Sequence, residues 1–238
     1  MTAVQVYREK LLALADWIPY LLAESRLPGP RGNLELVEAA ADLATPEQIE
    51  QFLRFSPPDD STNIPEVFPV VCSVVALGRL LAEGRAAVLP QVRAFANDPR
   101  WRVREAAAMA LQRWGDADMD AVVAAILPWA EGSFLEQRAA IAALCEPRLL
   151  AAPQHARAAF DLLDRVTTNL AQSHERKSDD FRVLRQALGY CWSVAVAALP
   201  DEGLPRFDRW RTSPDNDVAW VVKENLKKNR LKKVIEGA

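Results

Sequence analysis

The stretch from Asn97 to Trp114 admits few structures. Val103, Ala106, Ala107, Ala110, Leu111 and Trp114 recur at i, i+3, i+4, i+7, i+8 and i+11, which draws one apolar stripe down a helix. Asp98 can cap that helix and Pro99 can open it, because the N–H that proline lacks has no partner in a first turn anyway. The stripe is mostly alanine, so a second helix can approach it closely.

The rest of the chain agrees with a helical protein. Only 9 glycines occur in 238 residues, and the 16 prolines sit mostly between apolar periodic segments, as helix starts and stops. The expected class is all-α, with enough apolar residues for a substantial core. No apolar run is expected to approach the roughly 20 residues of a membrane span, and the N-terminus lacks a signal-peptide pattern. Cys72, Cys145 and Cys191 are odd in number, far apart and set among apolar residues. They read as reduced core positions of a cytoplasmic protein. His155 and His174 have no cysteine or carboxylate at ligand spacing, so neither a metal nor a cofactor is expected.

Taken in order, the pattern predicts a long helix over 3–25, ended by Leu27-Pro-Gly-Pro30, and a second helix capped by Asn33. Thr45-Pro-Glu-Gln48 is a capping box that opens a short helix through Phe55. A polar loop, Ser56 to Asn63, then separates an acidic N-terminal helical cap (1–60) from the repeats expected over 64–238. These begin with Val67 to Glu83, apolar nearly all round and ended by Gly84, and Ala86 to Ala96. Helices over 118–129, 137–145 after the Ser133–Glu136 capping box, 154–172, 178–199 and 205–211 follow, with a last one opened by Ser213-Pro214. Setting Pro214 on Pro99 places Val218 on Val103 and Leu226 on Leu111, an offset of 115 residues. Three repeats of about 38 residues fit it.

Charge is uneven. Residues 1–66 hold 5 basic groups against 11 acidic ones, residues 67–113 hold 7 against 3, and Val221 to Lys233 holds 6 against Glu224 alone. An acidic cap followed by basic helices can steer an anionic partner to one part of the surface. The same cations can also be a solvated helix face that favours a helix C-terminus. Around the opening stripe, Arg100, Arg102, Arg104 and Arg113 either line a groove and hold phosphates or pair with carboxylates such as Asp98. Trp101 is either repeat packing or a stacking platform.

The Asp-Pro start, the Val-Arg pair and the Ala-rich stripe ending in Leu resemble the second helix of a HEAT repeat. The resemblance implies a curved α-solenoid of about six antiparallel helix pairs, with function on the concave face. Residues 114–232 also resemble the HEAT-like, AlkD-type alkylpurine DNA glycosylases of the DNA alkylation repair superfamily. The local matches are Trp114-Gly-Asp-Ala-Asp118, Arg138 before an Ala-rich helix, and Arg185-Gln-Ala-Leu-Gly-Tyr190. By that resemblance Asp118 would stabilise the cationic sugar as a damaged base leaves, Trp114 and Tyr190 would flank the lesion, and Arg138 would grip a phosphate. Asp118 is equally placed to cap a helix between repeats.

Two function classes follow. One is a non-enzymatic, monomeric binding or scaffold protein, holding DNA or another protein in its groove. Arg100, Arg102, Arg185, Lys223 and Lys227 are its candidate backbone contacts. The other is a glycosylase excising alkylated purines through Asp118.

Overall fold

The computed structural model describes residues 1–55 and 61–237, and over them the chain is all-helical, with fourteen α-helices and no strand among the described residues. The chain forms two compact units, Met1–Ala117 and Asp118–Ala238. Most of the polar loop expected to be a domain boundary, residues 56–60, lies outside the described residues.

The first unit contains α1 (Ala3–Leu12), α2 (Ile18–Ala23), α3 (Leu34–Leu43), α4 (Pro46–Leu53), α5 (Phe68–Ala82), α6 (Leu89–Ala96) and α7 (Trp101–Gly115). Helices α1, α3, α5 and α7 pack in that order, with α2 and α4 against α5, and α6 against α7. Helix α5 is buried nearly all round, as its unbroken apolar pattern predicts. Pro65–Ala82 has the length and composition of a membrane span, which corrects the expectation that no run comes close, and 78% of it is buried inside the fold. The close approach expected of the alanine stripe is made between α5 and α7: a Cβ placed on Gly78 would lie 2.2 Å from the Ala110 carbonyl oxygen.

Local chemistry sets the helix ends. The helix expected over 3–25 breaks into α1 and α2, because Pro19 has no N–H to donate and would cost about 3 kcal/mol inside a longer helix. The Ile18 N–H instead donates to Asp16 Oδ1 at 3.0 Å. Asn33 caps α3 and Thr45 caps α4 with its capping box, both as the sequence predicts. Helix α7 begins at Trp101 rather than Pro99, since Asp98 Oδ1 takes the Arg100 N–H at 2.8 Å in a turn before the helix.

The second unit contains α8 (Met119–Ile126), α9 (Phe134–Leu144), α10 (Pro153–Gln172), α11 (Asp179–Ala198), α12 (Pro200–Arg211), α13 (Asn216–Leu226) and α14 (Asn229–Gly237). Helices α9, α11 and α13 pack in order, α10 and α12 lie against α11, and α14 closes on α11 and α13. Trp192 is fully buried between Phe160 and Phe207, with ring centroids 6.5 and 5.8 Å away, and its Nε1–H donates to Thr167 Oγ1 at 3.0 Å. Asn225, also fully buried, locks α13 to α11. Its Oδ1 accepts from the Ser193 N–H, and its Nδ2 donates to the carbonyls of Leu188 and Val221, each at 2.8 Å.

Three boundaries differ from expectation here. Helix α8 stops at Ile126, and a 3-10 turn runs over Leu127–Glu131 with Pro128 at its start. Helix α12 starts at Pro200 and carries Pro205 inside it. The last predicted helix is two, α13 and α14, and Asp215 caps the first. The 115-residue offset holds at the helix starts, Trp101 and Asn216. Val103, Val218 and Leu111 are fully buried, whereas Leu226 is only half-buried.

Leu111→Ala is expected to lower unfolding free energy in urea by about 2–5 kcal/mol, as large-to-small changes in packed cores do. Gly78→Ala is expected to cost about 1–3 kcal/mol by forcing α5 away from α7. Near-neutral results for both would mean the stripe does not bear the packing of this unit.

Candidate nucleic-acid interface

The residues of the glycosylase resemblance are spread over several helices. Trp114 lies in the last turn of α7 and is half-buried. Asp118 opens the second unit as the N-cap of α8, its Oδ1 accepting the Ala121 N–H at 2.9 Å. Arg138 is half-buried on α9. Arg185, on α11, stacks 4.6 Å from the Trp220 ring centroid and pairs with Asp217 at 2.5 Å. Arg176 also pairs with Asp217 and with Asp215, each at 2.8 Å, and these bonds raise its pKa. The Arg185 charge is therefore engaged in holding α11 to the start of α13.

The arginines before and within α7 are equally committed. Arg100 grips Asp98 with two side-chain bonds of 2.8 and 2.7 Å, both side chains being 14% exposed or less. Asp98 thus takes Arg100, while Arg104 Nη1 donates to the carbonyls of Asp98 and Pro99. Arg113 and Arg8 share the Asp42 carboxylate between α7, α1 and α3. Arg102 Nε and Nη2 reach the carbonyls of Thr62 and Gly29, both at 2.7 Å.

The cations of the C-terminal segment are disposed differently. Gly189 brings α13 onto α11, since a Cβ there would lie 3.1 Å from Trp220 Cζ3 and 3.2 Å from Glu224 Cβ. The next residue, Tyr190, is 43% exposed. Arg230 donates to its hydroxyl at 2.6 Å and lies 4.8 Å from its ring centroid, and the Lys228 ammonium lies 5.5 Å from the same ring. Lys223, Lys227, Lys232 and Lys233 are exposed around this point. Glu224 pairs with Lys227 at 2.5 Å. That hydrogen bond holds its carboxyl below the ordinary carboxylate range; burial opposes it, and the nearby charges of Lys227, Lys228 and Lys223 add to the lowering.

Tyr190, Lys223 and Lys227 were legible as candidates, and the two cations seated on Tyr190 were not. Arg230 lies 40 positions away in sequence, beyond the reach of any helical periodicity. Among the described residues no group of three His, Cys, Asp or Glu side chains gathers as a metal site. The three cysteines are buried free thiols, and burial pushes the pKa of Cys72 and Cys145 up. Comparisons with protein-family models, curated proteins and solved structures find no match.

Asp118→Ala is expected to cost about 1 kcal/mol of stability through the lost cap, and Asp118→Asn a few tenths at most, because asparagine caps as well as aspartate. Equal losses in urea unfolding would remove the capping role.

Proposed function

We propose that the chain is a non-enzymatic binding protein of HEAT-like helix pairs, a curved α-solenoid, whose C-terminal basic face holds the phosphate backbone of DNA. The repeat reading is supported within each unit, where next-but-one helices stack in order, the arrangement by which helix pairs bury their apolar faces on neighbours. The reading of the partner is carried by one observation: Lys228 and Arg230 gather on the exposed ring of Tyr190. A guanidinium already fixed by a hydroxyl loses less freedom on meeting a phosphate, and its remaining N–H groups suit bidentate contact. Lys223 and Lys227, both exposed, extend the positive surface. Phosphate contacts of this kind give affinity without sequence preference.

Excision of alkylated purines is the weaker reading, because Asp118 is engaged at a helix start, its Oδ1 accepting the Ala121 N–H. Three phosphate contacts predict that log K for duplex DNA falls with log salt at a slope of about −2.7, from roughly −0.9 per contact. Lys227→Ala/Lys228→Ala/Arg230→Ala should bring the slope close to zero and weaken binding to all sequences alike. A flat salt response of the wild type overturns the proposal in favour of a protein partner. Methylated DNA should release no 7-methylguanine, and release that Asp118→Asn abolishes would reinstate the glycosylase.

A further inference from the structure

The first unit holds a cleft that has no part in the nucleic-acid reading. Its volume is about 300 Å³, at the lower end of the roughly 300–1,000 Å³ typical of small-molecule sites. Buried Leu27, Val37, Phe68 and Val71 line it together with the exposed Leu34 and Trp101. The charges at its edge decide what kind of molecule could occupy it.

Arg102 lines the cleft beside Trp101, its guanidinium 4.3 Å from the indole centroid. It is held by three neutral acceptors, the carbonyls of Thr62 and Gly29 and, at 3.2 Å, Asn63 Oδ1. Among the described residues no carboxylate pairs with it, and partial burial alone lowers its pKa. A cation drawn partly out of water, with only neutral partners among the described residues, favours an anion beside it. The other charged lining residues are Arg31, which pairs with Glu35 at 3.5 Å, and Glu105. Cations therefore outnumber carboxylates on the lining.

We propose that this cleft binds a small amphipathic carboxylate, its apolar tail against Phe68 and Val71 and its carboxylate on the Nη1 edge of Arg102, which donates to none of the described residues. An amine of the same shape would meet Arg102 and Arg31, and an alcohol would leave the guanidinium uncompensated.

Calorimetric titration of the full chain with octanoate, octanol and octylamine tests this. Octanoate should bind about tenfold or more tightly than octanol, the scale of one charge-assisted hydrogen bond, and octylamine should give no saturable binding. Leu34→Trp should abolish octanoate binding by filling the mouth of the cleft. Arg102→Lys should retain most of it and Arg102→Gln should lose about tenfold. Since Arg102 also clamps a loop, Glu105→Gln is the independent variant: removing the opposing carboxylate should tighten octanoate binding. Equal affinity for octanol and octanoate, weaker binding by Glu105→Gln, or no saturable binding of octanoate by the wild type each overturns the proposal. So does a peptide ending in a leucine carboxylate that binds more tightly than octanoate, since the site would then be one for chain ends.

Discussion

Backbone-to-backbone approach of α5 and α7 is the constraint on which the first unit depends. At Gly78 and Ala110 there is no room for one further carbon, so both the alanine stripe of α7 and the glycine of α5 are fixed by a single contact. Helix α3 packs on α5 in turn, and α1 packs on α3. The second unit repeats the device with different partners. A Cβ on Gly203 would lie 2.7 Å from Phe160 Cζ and 2.9 Å from Val196 Cα, which seats α12 on α10 and α11. Small residues at crossings, with large ones such as Trp192 and Phe207 filling between, are how interiors reach crystal-like density.

Arginine does much of the remaining work, and this decides where an anion can be met. Arg79 donates to the carbonyls of Ala41 and Ala44 at 3.0 and 2.5 Å, satisfying acceptors that the C-terminus of α3 leaves without intrahelical partners. Arg176 does the same for Ala171 and Ser173. Arg100 is closed on Asp98, and Arg113 shares Asp42 with Arg8. The positive excess of residues 67–113 is therefore largely taken up inside the fold, Arg102 excepted, whose Nη1 edge donates to none of the described residues. That of Val221 to Lys233 faces solvent with Glu224 as its one carboxylate. Net charge by segment is equal in kind for the two stretches, and only the hydrogen-bond partners separate structural cations from those available to a ligand.

Helix starts were legible because their chemistry is local. Asn33, Thr45, Ser133 and Asp118 each accept a backbone N–H within three residues, and such pairs can be read by spacing alone. Pro19 shows the limit of periodicity, since the apolar spacing runs on through a residue that cannot continue the hydrogen bonding. Pro205 errs the other way: it sits inside α12, where the packing of Phe207 and Gly203 holds a turn that propensity alone would end. The candidate site was half legible. Exposed lysines announce themselves by composition, whereas the seating of Arg230 on Tyr190 depends on α14 folding back against α11, a long-range event that no window of sequence contains.

Asp118 shows how magnitude separates a resemblance from a mechanism. A carboxylate in open water attracts a cation 4 Å away by about 1 kcal/mol, while enzymes lower barriers by roughly 8–23 kcal/mol. Asp118 is exposed and bonded to the Ala121 N–H, so its field is screened by solvent and partly directed into the first turn of α8. Stabilising an oxocarbenium ion demands the opposite setting, a carboxylate out of water and aimed at the sugar. Only a duplex laid over Asp118 could supply that setting, and binding would then have to precede any chemistry. The C-terminal cations are the groups that could supply such binding, which makes the affinity of this face for phosphate the first quantity on which either reading rests.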